Sequence, residues 1–225
     1  MAKPAPRKKN QVSLNQKAYA EIRRRILDGE LIAESPLSEY QLAEELQLSR
    51  TPVREAVKRL EREGLVQAIP NRGTFVSKLT SKDISEIYQV REQLEGFAAH
   101  IAAETMSDEA IEKLEKEISV LKTLASESRL VEVVDSDIRL HQQIIASTQN
   151  SRLIAMLGTL DDQMHRVRAL FPQSPQWLKA TLVEHAKIVE AIKARDGLGA
   201  EKAMRDHLRS AREHAVRQSL PVDFL

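Results

Sequence analysis

The 225-residue chain contains no cysteine. That excludes disulfides, thiolate nucleophiles, cysteine-type zinc sites and iron–sulfur clusters together. Glycine is scarce at seven residues, roughly half of what average usage would supply. Aromatic residues make up only 4%. Tight turns draw on glycine and strands draw on aromatics, so both shortages argue against a sheet protein. No apolar run approaches the ~18 residues that would suggest a membrane span. The basic segment Met1–Asn10 is followed by no apolar stretch of the secretory type. The expectation is a mostly helical, soluble, cytoplasmic protein.

Hydrophobic residues at 42% and charged residues at 30% suit amphipathic helices around a sizeable core. The net charge of +1 conceals an asymmetry. Residues 1–78 carry 15 Lys and Arg against 10 Asp and Glu, whereas residues 79–225 carry 19 against 23. A module for a polyanion beside a module for something else would give this split, and so would scatter. The order of elements decides between them.

Residues 1–12 read as a disordered basic tail. Ala18, Ile22 and Ile26 form a helical stripe that stops at Gly29. Ser38-Glu39-Tyr40-Gln41 resembles a capping box and opens a short helix. After a turn at Gln47-Leu48-Ser49, a second helix begins near Arg50 with Pro52 in its first turn and stops at Gly64. Val66–Ile69 and Thr74–Val76 then read as a hairpin about Pro70-Asn71-Arg72-Gly73. This order predicts a winged helix-turn-helix over residues 13–78. Arg50 and Arg54 share a face opposite Val53, Ala56 and Val57. Arginine forks at a helix N-terminus suit guanine edges and phosphates, and Asn71 and Arg72 at the hairpin tip suit a neighbouring groove.

Residues 79–225 read as an antiparallel bundle of six or seven helices, in segments near 80–104, 107–126, 129–148, 151–170, 176–196 and 200–218. Three inward stripes each contain a histidine: Val134, Ile138, His141 and Ile145; Leu182, His185, Ile188 and Val189; Met204, His207 and Leu208. Asp137 precedes His141 by one turn. His185 and His207 lie 12 and 10 residues from Gly197, so antiparallel helices place them within ~3 Å in height. Asp137, His141, His185 and His207 are therefore candidate ligands for a divalent Zn, Ni, Co or Mn ion. The alternative is a buried polar network without metal. His100, His165 and His214 have no such partners and read as surface or edge residues.

The segments Ile26–Leu31, Leu37-Ser38-Glu39, Leu42–Leu46, Ser49–Ala56, Leu60–Val66 and Asn71–Val76 resemble the winged-helix domain of the GntR family of bacterial transcriptional regulators. The resemblance implies operator contacts by Arg50, Thr51 and Arg54, next to Ser49, and a wing of Asn71, Arg72, Gly73 and Thr74 in the minor groove. Tyr40 stands where many members carry arginine, which alters one expected contact. Ala33-Glu34-Ser35-Pro36 replaces the usual Pro-Gly turn. Residues 79–225 resemble the all-helical FCD effector domain of the FadR-like branch, with Asp137–His141, His185 and His207 matching its metal set. That implies a small carboxylic acid effector bound at the metal, with Arg91 as a pocket residue; the alternative for Arg91 is a surface salt bridge with Glu92 or Glu95. Arg166 and Arg168 are further candidates to face that pocket, with no role assigned to either. The whole reads as a homodimeric repressor of a palindromic operator. A metalloenzyme is the alternative, but four protein ligands crowd a catalytic zinc and a winged helix has no role in one.

Overall fold

The computed structural model describes residues 13–170 and 174–219; the expected tail at 1–12 and the Phe171–Pro172 break lie outside them. These residues form two compact units that divide between Lys78 and Leu79.

In the first unit, α1 (Leu14–Leu27) starts at a capping box in which Ser13 and Gln16 satisfy each other's backbone N–H. α2 (Glu39–Glu45) is capped by Ser38, whose hydroxyl accepts from the Gln41 N–H. Four residues separate it from α3 (Arg50–Arg62), and the turn is closed by Gln47 in the left-handed region at φ 54°. Ala18, Ile22, Leu42, Val53, Val57 and Leu60 pack into one core. The strands β1 (Val66–Ile69) and β2 (Gly73–Val76) pair antiparallel, with Val66 opposite Val76 and Ile69 opposite Gly73. The non-standard loop at 33–36 is tied to this wing. The Glu34 N–H donates to the Val76 carbonyl at 2.9 Å and the Leu37 N–H to the Thr74 carbonyl at 2.8 Å.

The second unit contains seven helices among the described residues: α4 (Ser81–Thr105), α5 (Asp108–Ser126), α6 (Leu130–Ser147), α7 (Ser151–Gly158), α8 (Asp161–Leu170), α9 (Pro175–Lys193) and α10 (Gly197–Ser219). The alanine-rich side of α4, with Ala98, Ala99, Ala102 and Ala103 fully buried, allows α10 to lie close along it. α6 packs on α4 and α5, and α9 packs on α5 and α10. The chain is therefore mostly α, a winged helix-turn-helix followed by an all-helical bundle.

Three local expectations are corrected. Residues 151–170 form two helices rather than one, because Gly158 weakens the ladder and Thr159 donates its hydroxyl to the Met156 carbonyl at 2.6 Å. α10 starts at Gly197 rather than near 200, since the Asp196 carboxylate accepts the Gly199 N–H at 2.8 Å. On α6 the fully buried stripe is Val133, Ser136, Leu140 and Ile144; Val134, Ile138 and Ile145 are only half-buried. His141 is nevertheless buried, at the border of the two faces.

Candidate functional site

At the start of α3, Ser49, Arg50, Thr51 and Arg54 are all exposed while Pro52, Val53, Ala56 and Val57 anchor the opposite face. Ser49 occupies the N-cap position but makes no side-chain cap, so the first-turn donors stay directed outward. Arg50 and Arg54 meet no carboxylate among the described residues, whereas Lys58 pairs with Glu55 and Arg59 with Glu63. Uncompensated cations thus coincide with the positive end of the helix dipole. At the wing tip Asn71 and Arg72 are exposed, with Asn71 at φ 60° and exposed Gly73 at φ 104°; Thr74 is half-buried. Tyr40 is exposed on α2, and its hydroxyl donates to Glu44 at 2.7 Å.

The second constellation assembles inside the bundle. Asp137 and His141 come from α6, His185 from α9 and His207 from α10, and one ligand atom of each lies within 4.8 Å of all the others. The three imidazoles are at most 4% exposed. Ring centroids lie 4.4 Å apart for His185 and His207, and 5.4 and 5.3 Å respectively from His141 to each. Asp137 Oδ1 is 3.2 Å from His185 Nε2 and 3.9 Å from His141 Nε2.

Carboxylates behind the rings set their chemistry. Glu95 Oε2 lies 2.5 Å from His141 Nδ1, and Glu184 Oε2 lies 3.0 Å from His207 Nδ1. A carboxylate only accepts, so each holds the proton on Nδ1 and leaves Nε2 as a lone-pair donor. Burial would raise the Glu95 carboxyl, but Arg91 and His141 outweigh it and hold it at about 2. Burial likewise opposes ionisation of Asp137, yet His185, His141 and Arg168 keep it well below the usual carboxylate range. Burial and the neighbouring His185 push the His207 pKa down to about 4, so its ring is neutral near pH 7.

His141 Nε2 and both nitrogens of His185 find no hydrogen bond among the described residues. Each buried unsatisfied group costs ~1–3 kcal/mol. A divalent cation among the four side chains would satisfy nitrogens from both rings, and three imidazoles with one carboxylate form a borderline donor set. The residues fit a metal.

Beside these groups lies a cavity of about 60 Å³ bordered by Asp137, His141 and His207. Arg91 and Arg168 line it, and both, with Met164, also line a second cavity. Arg91 is buried rather than on the surface; its Nε donates to Glu95 at 2.6 Å, and its guanidinium faces the Tyr88 ring at 5.4 Å. Arg168 Nη2 lies 3.7 Å from Asp137 Oδ2. Arg166 is buried without lining either cavity. His165 is exposed, and half-buried His100 pairs with Glu201 at 3.2 Å. His214 is half-buried, as expected of an edge residue, but it does have a partner. It lines the cavity and stacks on Trp177 at 4.1 Å between centroids.

The residues missed by sequence reasoning are Glu95, Glu184, Trp177, Thr181 and His214; of the two unassigned arginines, Arg168 lines the cavity. Glu95 had a signal, one helical turn after Arg91. Glu184 had a weaker one, beside His185. Nothing local marked the others.

A profile for the FCD domain matches residues 86–210, and one described as bacterial regulatory proteins, gntR family, matches residues 14–76. The HTH-type transcriptional regulator YdhC of Bacillus subtilis is 27% identical over 197 residues, covering 87% of this chain and 88% of its own length. The HTH-type transcriptional repressor RspR of Escherichia coli K12 is 28% identical over 205 residues, covering 91% and 90%. The solved structure of McbR/YncC from Escherichia coli superposes with a TM-score of 0.73 at 21% identity, over 93% of this chain and all of that one.

Proposed function

The chain belongs to the GntR family of bacterial regulatory proteins, with an FCD domain as its second unit, and from that premise we propose a metal-dependent sensor of a small carboxylic acid. That it is a DNA-binding transcriptional regulator and not an enzyme follows from the family, which displaces the metalloenzyme alternative. The finer reading rests on one observation. Unsatisfied buried imidazole nitrogens and a carboxylate converge at a cavity that also holds two arginines.

Asp137, His141, His185 and His207 would hold a Zn, Ni, Co or Mn ion, which supplies a Lewis-acidic site for a carboxylate. Arg91 and Arg168 face the same space and complement a carboxylate's charge. The distinct chemistry of the two units supports separate roles, 13–78 reading DNA and 79–225 sensing. Ser49, Arg50, Thr51 and Arg54 would enter a major groove, with the wing residues Asn71, Arg72, Gly73 and Thr74 alongside. Tyr40, its hydroxyl engaged by Glu44, would contact the backbone through its ring edge at most.

Val90 and Phe97 are each 47% exposed on α4, and half-buried Leu94 and Ile101 continue the stripe at heptad spacing. That stripe supports a homodimer, and a two-fold dimer reads a palindromic operator. Repression relieved by the acid is the favoured direction, since the similar RspR is described as a repressor. Shifting operator occupancy by two decades needs ~2.7 kcal/mol of differential affinity, within reach of one charged ligand. Such a regulator acts in the cytoplasm, where its DNA lies.

The test selects genomic fragments on the purified protein near physiological salt. A shared short palindrome, released when a cognate acid and metal are added, supports the reading. Retention of unrelated fragments that simply wash off with salt overturns it.

A further inference from the structure

Two more buried polar atoms border the same cavity, remote from the metal candidates. Thr181 Oγ1 and His214 Nε2 are shielded from solvent and meet no hydrogen-bond partner among the described residues. Their positions follow from two helical ladders. On α9, Trp177, Thr181 and His185 follow one another at four-residue steps; on α10, His207, Ala211 and His214 lie along one face. Because α9 and α10 are joined by only three residues and run antiparallel, both ladders leave the metal candidates in the same direction. Thr181 stands one turn from His185, ~6 Å along the axis, and His214 two turns from His207, ~10 Å. The Trp177–His214 stack ends the ladder, bordering both this cavity and an outer one. Between the two ends the wall is apolar, formed by Val167, Leu208 and Ala211.

We propose that Thr181 and His214 form a second polar subsite for an uncharged oxygen, a hydroxyl or carbonyl, at the far end of the organic acid. The inference rests on the reading that the acid's carboxylate sits at the metal and arginine end. The span then selects an unbranched acid of about four to six carbons, given the one to two helical turns between the ends. A second carboxylate is disfavoured. Burial, with Arg217 adding to it, lowers the His214 pKa and leaves that ring neutral, while Arg217 itself is exposed on the outer cavity. A hydroxyl meets both orphaned atoms, because Thr181 can donate or accept and so can a neutral imidazole.

The test is calorimetric titration of the zinc-loaded full chain with acetate, pentanoate, 5-hydroxypentanoate and glutarate. 5-Hydroxypentanoate is expected to bind about tenfold tighter than pentanoate, near the worth of one or two buried hydrogen bonds, ~1.4 kcal/mol. Glutarate should show no such gain. Thr181→Val and His214→Phe preserve shape and the aromatic stack, and each should erase the tenfold gain while leaving acetate affinity and zinc stoichiometry unchanged. Quenching of Trp177, the single tryptophan, gives a second readout in Thr181→Val. Equal binding of the two five-carbon monoacids, a gain that survives in both variants, or an equal gain by glutarate would overturn the subsite. If none of the four acids binds the zinc-loaded protein, the parent reading falls and the subsite with it; acetate binding without hydroxyl discrimination removes the subsite alone.

Discussion

Glu95 on α4 reaches His141 on α6 with one carboxylate oxygen, 2.5 Å from Nδ1, while its other oxygen accepts from Arg91 at 2.6 Å. One buried carboxylate thereby links a metal candidate to a cavity arginine. The pair sits 46 residues apart in sequence. It orients the imidazole, fixes its tautomer and compensates the arginine.

Glu95→Gln should therefore weaken zinc binding by about 10–100-fold, the usual range for loss of a carboxylate behind a metal-bound histidine. Competition against a chromophoric chelator measures it. Unchanged affinity would show that Glu95 serves Arg91 alone.

His185→Ala removes the imidazole whose two nitrogens find no hydrogen bond among the described residues. Metal content by elemental analysis should fall below stoichiometric. The metal-free variant, however, should lose less stability on truncation than a core leucine would, because two unsatisfied polar atoms leave with the ring. A variant that retains a full equivalent of metal would exclude His185 from the ligand set.

The pH dependence follows from His207, held near 4 by burial and by His185, against 6.5 in the unfolded chain. Between those values the unfolded state binds more protons, so folding stability rises with pH. The contribution is complete above about 6.5 and is lost as the pH falls through about 4. Thermal unfolding in chelator from pH 8 to pH 4 should show this decline, and His207→Gln should flatten it. Metal-loaded protein should decline more steeply, since protons also displace the ion.

Arg54→Ala should cost ~1–3 kcal/mol of operator binding if the fork reads a base. Zinc and acid affinities should stay unchanged, because the residue lies in the other unit. Fluorescence anisotropy on operator and scrambled duplexes separates the cases. An equal loss on both would assign Arg54 to the phosphate backbone.

Gln47 closes the helix-turn-helix turn in the left-handed region at φ 54°, which costs a side-chain-bearing residue ~1–2 kcal/mol. Gln47→Gly should raise the unfolding free energy by about 0.5–1 kcal/mol after glycine's own entropy is deducted. Denaturant unfolding of the full chain would register it as a higher midpoint for the first unit.

Much of this molecule was legible in its sequence, because the information is local. Ser13, Ser38 and Thr80 mark helix starts through hydrogen bonds to donors three residues on. The stripes Ala18–Ile22–Ile26 and Ile188–Val189–Ile192 reveal buried faces through the helical period alone. His185 and His207 were readable for the same reason, each lying on such a face, whereas His141 lies at the border of the buried face of α6. Tertiary structure decided the rest. Whether α6 turns His141 or Ile145 fully inward depends on where α4 and α5 press, which no periodicity states. Glu95, Glu184 and Arg168 acquire their roles only through partners on other helices, and Trp177, Thr181 and His214 share a cavity only because α9 folds back along α10. Propensity and capping act over one turn of helix, whereas a binding site is a meeting of side chains whose separation is set by how whole helices pack.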